Sequence, residues 1–238
     1  MHSLKPTRFV VAAAAVIAIG GGTYGIVSAT ASTTSGAASP ASSLSALSGH
    51  AEPGGGGANA RSGPAAGGSI GTVAGVSPSG FTLTTSAGQK LTVKVTSSTA
   101  YRQGAAAAPA SAVTTGESVL VIGTADSTTM TASQAIIGPR LTAPRPPWAA
   151  TVVPFTRGTQ SASKQAGQIP ATYTQGAGTI VSGTAAAKAT RAALAVYPGG
   201  IVDRVVKLSN GEYEVHYIGV NWPHHVFVNQ DFNVIGAD

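Results

Sequence analysis

Lys90-Leu91-Thr92-Val93-Lys94-Val95-Thr96 is the stretch on which the fold turns. Its apolar residues Leu91, Val93 and Val95 alternate strictly with Lys90, Thr92, Lys94 and Thr96, the two-residue period of a strand with one face on a core and the other in water. Upstream, Phe81-Thr82-Leu83-Thr84 repeats the pattern, and Pro78-Ser79-Gly80 and Ala87-Gly88 supply the turns before these two strands. Downstream, Val119 to Ile122 is continuously apolar between Gly116 and Gly123 and reads as a strand buried on both faces. A last strand is expected from Thr129 to Ile137, and an alanine-rich insert, Gly104 to Val113, has room for one or two helical turns. Five short strands with a helical insert after the third predict an OB-like small β-barrel over residues 68–138.

The rest of the chain has a different texture. Of its 238 residues 43% are hydrophobic, but much of that fraction is alanine, too small to build one large core, so a single large enzyme domain is disfavoured. Cysteine is absent, which excludes disulfides, thiolate metal sites, a cysteine nucleophile and lipidated cysteine. Residues 32–67 are mostly Ser, Thr, Ala, Gly and Pro with Gly54 to Gly57 in a row, the composition of a disordered tether. Residues 139–177 return to that texture, with Pro139, Pro144, Pro146, Pro147, Pro154 and Pro170, and are expected to form an extended linker. The excess positive charge sits there, at Arg140, Arg145, Arg157 and Lys164.

At the other end, Lys5 and Arg8 precede an apolar stretch from Phe9 to Ile19, then three glycines and a small-residue exit. Residues 1–31 therefore read as a secretory signal peptide, with Ala29 and Ala31 where a signal peptidase reads and Ser32 as the mature start. Uncleaved, Phe9 to Val27 is just long enough to anchor the chain in a membrane as one transmembrane helix. On either reading everything after residue 31 is exported, to be secreted or held at the cytoplasmic membrane.

In residues 178–238 a helix is expected from Thr184 as N-cap, with Ala185, Ala189, Ala192, Ala193 and Val196 on one face and Lys188 and Arg191 on another. Pro198-Gly199-Gly200 ends it. Ile201 to Leu208, Glu212 to Ile218 and His225 to Val234 then predict a three-stranded antiparallel sheet, with a hairpin turn at Ser209-Asn210-Gly211. Tyr213, Val215 and Tyr217 fall on one face of the second strand and Glu212, Glu214 and His216 on the other. The fold class expected is mainly β with one α+β domain.

Two resemblances follow. Gly71-Thr72-Val73, Phe81-Thr82-Leu83, Leu91 to Val95, Thr99, Gly116, Val119 to Gly123 and Ala132 to Ile137 resemble a family of small exported bacterial β-barrels of unassigned function, which implies a fold and a setting but no reaction. The helix, Tyr197-Pro198-Gly199-Gly200, Ile201-Val202-Asp203-Arg204-Val205, Gly211 to His216, Val226-Phe227-Val228 and Asp231 to Val234 resemble a PepSY domain. That resemblance implies protein binding, with an extracytoplasmic peptidase as the partner to be modulated. Asn221-Trp222-Pro223-His224-His225 departs from the short polar turn usual before the last strand.

Chemistry is sparse. His216, His224, His225 and Asp231 are the metal candidates, since imidazole and carboxylate suit zinc or copper, but their spacing fits no established ligand pattern. No nucleophile-base pair stands out, so no catalytic residue and no cofactor is expected. Gly54 to Gly57 and Gly183 to Lys188 lack the remainder of a phosphate loop. The barrel offers only Phe81 and Tyr101 as aromatics, too few for a nucleic-acid platform. The expectation is a non-enzymatic exported envelope protein that binds another extracytoplasmic protein through a sheet edge or through Trp222, Tyr213 and Tyr217. A structural spacer without a specific ligand is the alternative, and metal binding by the C-terminal histidines the third reading.

Overall fold

The computed structural model describes residues 63–141, 144–160 and 164–238. Ala29, Ala31, Ser32 and the first part of the tether lie outside the described residues. Among the described residues no helix is long and apolar enough to cross a membrane.

The first part holds β1 (Ala65–Ser77), β2 (Gly80–Thr84), β3 (Lys90–Lys94), β4 (Ala100–Gln103), β5 (Ala106–Ala107), β6 (Ser118–Asp126) and β7 (Thr129–Ile137). Five of them close a barrel: β1 pairs with β2, β2 with β3, β3 with β7, β7 with β6 and β6 with β1. All these pairs are antiparallel except β3 with β7. The alternation read from sequence fills the interior, since Phe81, Leu83, Leu91 and Val93 are buried while Thr82, Thr92 and Lys94 face out. The insert takes the lower end of the helical content expected of it. It supplies the turn after β4, the strand β5 that pairs back on β4, and a single 3-10 turn at Ala110–Ala112.

The remainder holds β8 (Val153–Pro154), β9 (Ala166–Gly167), β10 (Thr179–Ile180), α1 (Gly183–Val196), β11 (Ile201–Lys207), β12 (Tyr213–Ile218), β13 (Val220–Trp222), β14 (His225–Val228) and β15 (Val234–Ala237). Ser182, not Thr184, occupies the N-cap position of α1, and its side chain makes no capping bond. The expected last strand is broken. Asn229 Oδ1 accepts from the backbone N–H groups of Asp231 and Asn233, so the chain reverses there and β14 pairs with β15 as a hairpin.

The separate three-stranded sheet does not appear. β11, β12, β14 and β15 run on from the barrel, because β1 pairs with β11 at Gly68–Val202 and Ser69–Ile201. The described residues accordingly fall in one compact unit. The junction depends on glycine: a Cβ on Gly67 would run into the Val202 carbonyl, and one on Gly68 would lie 2.6 Å from the Val121 carbonyl oxygen. β6 shows why the two parts share a core. Its Val119 and Val121 fill the barrel, while Leu120 and Ile122 on its other face pack with Ile136 in the cluster that includes Ala186, Ala189 and Ala193 of α1.

The segment 139–177, expected as a linker, lies partly against the body. β8 pairs with β13 and β9 with β15, and Trp222 Nε1 donates to the Lys164 carbonyl at 2.6 Å. Proline fixes an extended backbone without preventing edge pairing, so a proline-rich composition reads as a spacer even where the chain is docked.

Candidate functional site

Trp222, Tyr213 and Tyr217, expected at a binding surface, are buried, at 0%, 8% and 0% exposure. Trp222 stands edge-on to Tyr197 with ring centroids 5.4 Å apart, in the cluster under α1, and Tyr213 stacks on Phe232. These three side chains hold the fold and offer no partner a surface.

The opposite face of the same strands, expected to meet water, is largely covered. The register places Arg204 of β11 opposite His216 of β12, and His216 opposite His225 of β14; Val206, Glu214 and Phe227 form the next row. Ile169 and Tyr173, from the proline-rich segment, pack with Val206, Leu208 and Phe227, and the Tyr173 ring also lies 5.6 Å from that of His225. A register shift between Val202 and Arg204 marks a β-bulge at Asp203, which brings its carboxylate to the His216 face. His216 Nδ1 is then 2.6 Å from Asp203 Oδ1, and His225 Nδ1 is 2.7 Å from Glu214 Oε1. The two imidazoles stand edge to face, 5.2 Å apart. Arg204 is 3.8 Å from Asp203 Oδ2.

This array has part of the grammar of a catalytic or metal site, because a carboxylate on Nδ1 orients an imidazole and fixes which nitrogen keeps its lone pair. It lacks the rest. Among the described residues no hydroxyl is hydrogen-bonded to either ring, and no group of three or more His, Cys, Asp and Glu is placed to hold a metal ion. Asp231 lies apart, in the β14–β15 turn. His224 is joined to the end of the sheet through its backbone, and burial pulls its pKa below the ordinary value.

A second feature lies where the barrel meets the helix. A cleft of about 510 Å³ opens between the β4–β5 turn, β6, β7, the segment Pro139 to Leu141 and α1. Leu120, Ile136, Leu141, Ala192 and Ala195 give it an apolar lining, and Arg140 and Arg191 are its cations. Arg191 donates to Gln134 Oε1 of β7. Arg102 of β4 stands beside it: burial first, then the Arg102 charge, lower the Arg191 pKa. An apolar lining with a few convergent polar groups, at the seam between structural layers, is the usual form of a ligand site. The sequence hid this cleft because its residues come from five separate segments. The only trace was the pairing of Lys188 with Arg191 on the outer face of an alanine-rich helix.

No family model, curated protein or solved structure matches the chain.

Proposed function

We propose that this is a non-enzymatic exported protein of the cell envelope that binds another extracytoplasmic protein, and that the partner docks in the cleft between barrel and helix. The observation that carries the reading is the cleft itself, apolar beneath and cationic at its mouth. Support for export comes from the charge, apolar core and small-residue exit of residues 1–31. Two finer readings of the fold point the same way. The barrel's strand circuit agrees with an OB-like barrel, a scaffold that binds along its surface. The PepSY-like reading rests on the sequence pattern around Tyr197 to Gly200, and under it a peptidase is the partner to be modulated. Under the spacer alternative the cleft has no occupant.

The test is site-specific photocrosslinking in the producing cell. A photoreactive residue at Ala195, in the cleft, is expected to give one discrete adduct that the same probe at exposed Lys94 does not give. Filling the cleft with Leu141→Trp should abolish it. Equal adducts from both positions, or none from Ala195, would overturn partner binding at the cleft and favour the spacer.

A further inference from the structure

The charge around the cleft says more about its occupant, and this inference rests on the partner-binding reading above. Arg102, Arg140 and Arg191 approach from β4, from the chain leaving β7 and from α1. Arg102 is held by Nη1, which donates to the Ala105 carbonyl 2.9 Å away, and Arg191 by its bond to Gln134. Among the described residues none of the three is ion-paired with a carboxylate. Arg102 and Arg191 repel each other beside a low-dielectric wall that Arg140 also lines, and a bound anion would relieve that repulsion.

The neighbouring backbone indicates what kind of molecule brings the anion. Gly104 and Ala105 line the cleft and lead directly into β5, an exposed strand at one end of the sheet. The outer edge of such a strand presents backbone donors and acceptors that an extended peptide satisfies and a lipid does not. The geometry points to an acidic, extended segment of a partner polypeptide, in which a carboxylate meets Arg140 and Arg191 while a neighbouring aliphatic side chain rests on Leu120 and Ile136. Guanidinium suits this role, since its planar fork takes a carboxylate through two parallel hydrogen bonds.

The experiment uses the full chain and three probes: a fluorescent decapeptide alternating leucine and glutamate, the same peptide with glutamine for glutamate, and vesicles containing phosphatidylglycerol. The glutamate peptide should bind, more weakly as salt rises, and the glutamine peptide at least about tenfold less well. Arg140→Gln and Arg191→Gln should each weaken the glutamate peptide about tenfold, with unfolding curves confirming that both variants fold. Arg140 is exposed and keeps the test independent of the Arg191–Gln134 contact. Equal binding of the two peptides, or binding of neither while the Ala195 crosslink persists, would overturn the acidic-segment inference and leave partner binding standing. Vesicle binding that depends on Arg140, without peptide binding, would assign the charge to lipid headgroups and overturn it as well.

Discussion

His225 Nδ1 lies 2.7 Å from Oε1 of Glu214, and the Glu214 side chain is 1% exposed. The other carboxylate oxygen, Oε2, is buried without a hydrogen-bond partner among the described residues. A carboxylate so placed depends on one imidazole. Deleting that imidazole leaves a buried group unpaired, which costs more than the pair itself contributes.

His225→Ala is therefore expected to lower unfolding free energy by about 3 kcal/mol in urea titrations. The double variant Glu214→Leu with His225→Leu should recover most of that loss, because it removes both desolvated groups and extends the Val206–Leu208–Phe227 cluster. If the double variant were as unstable as the losses of Glu214→Leu and His225→Leu added together, the pair would not be coupled.

At the barrel junction, Gly67→Ala should be disruptive although glycine-to-alanine changes in a strand usually help. Its Cβ would meet the Val202 carbonyl, where β1 approaches β11, and relief requires moving backbone. The expected loss is about 1–3 kcal/mol, accompanied by faster proteolysis near β1. Gly63→Ala, with open space around it, is the matched control and should be nearly silent.

These two sites also show where sequence reasoning reached its limit. The alternation around Leu91 and Val93 determined which side chains enter the barrel, because a strand's period decides sidedness locally. Val119 to Ile122 likewise revealed a strand buried on both faces, although not that its second face meets α1. Gly67 resembled the end of a linker, since composition registers a missing Cβ as flexibility and cannot register a neighbouring strand that requires it. Glu214 and His216 were placed on the face opposite Tyr213 and Tyr217, as observed, yet their face carries its own cover in Ile169 and Tyr173, about 40 residues earlier in the chain. Trp222 suggested a surface anchor by residue type, and its burial follows from β8 and Lys164, which only long-range pairing brings to it. The arginine cleft was illegible for the same reason.

Trp222→Ala should therefore act on stability and not on a binding surface. The indole is fully buried against Tyr197 and donates to the Lys164 carbonyl, so truncation opens a large cavity and orphans a carbonyl. The expected loss is about 3–5 kcal/mol by denaturant titration. Trp222→Phe, which keeps most of the volume, should lose less.

On the acid side, burial lowers the His224 pKa below its ordinary value of 6.5. The folded chain keeps this imidazole neutral while the unfolded chain takes up a proton, so stability is present above 6.5 and falls as pH drops through the folded pKa. Urea midpoints measured from pH 7.5 to pH 5 should show a decline that is shallower in His224→Gln. An identical decline in both proteins would remove His224 as a contributor.

Alkali should act in the opposite sense and more steeply. Burial pushes the Tyr197 pKa from 10.0 up to about 12, and raises those of Tyr173 and Tyr217 as well, with the Tyr197 charge adding to the effect on Tyr217. A raised folded pKa means that the unfolded chain ionises first, so the stability these phenols contribute is intact below pH 10 and is lost as pH climbs towards the folded values. Above pH 10 the fully buried Tyr217 alone should lower stability by about 1.4 kcal/mol per pH unit, measured from denaturant midpoints with phenolate absorbance followed in parallel. Tyr217→Phe isolates this effect, because the Tyr217 hydroxyl has no hydrogen-bond partner among the described residues and its removal should cost little at neutral pH. The variant should match the parent at pH 7 and exceed it at pH 11, whereas equal alkaline slopes would show that Tyr217 ionises as readily folded as unfolded.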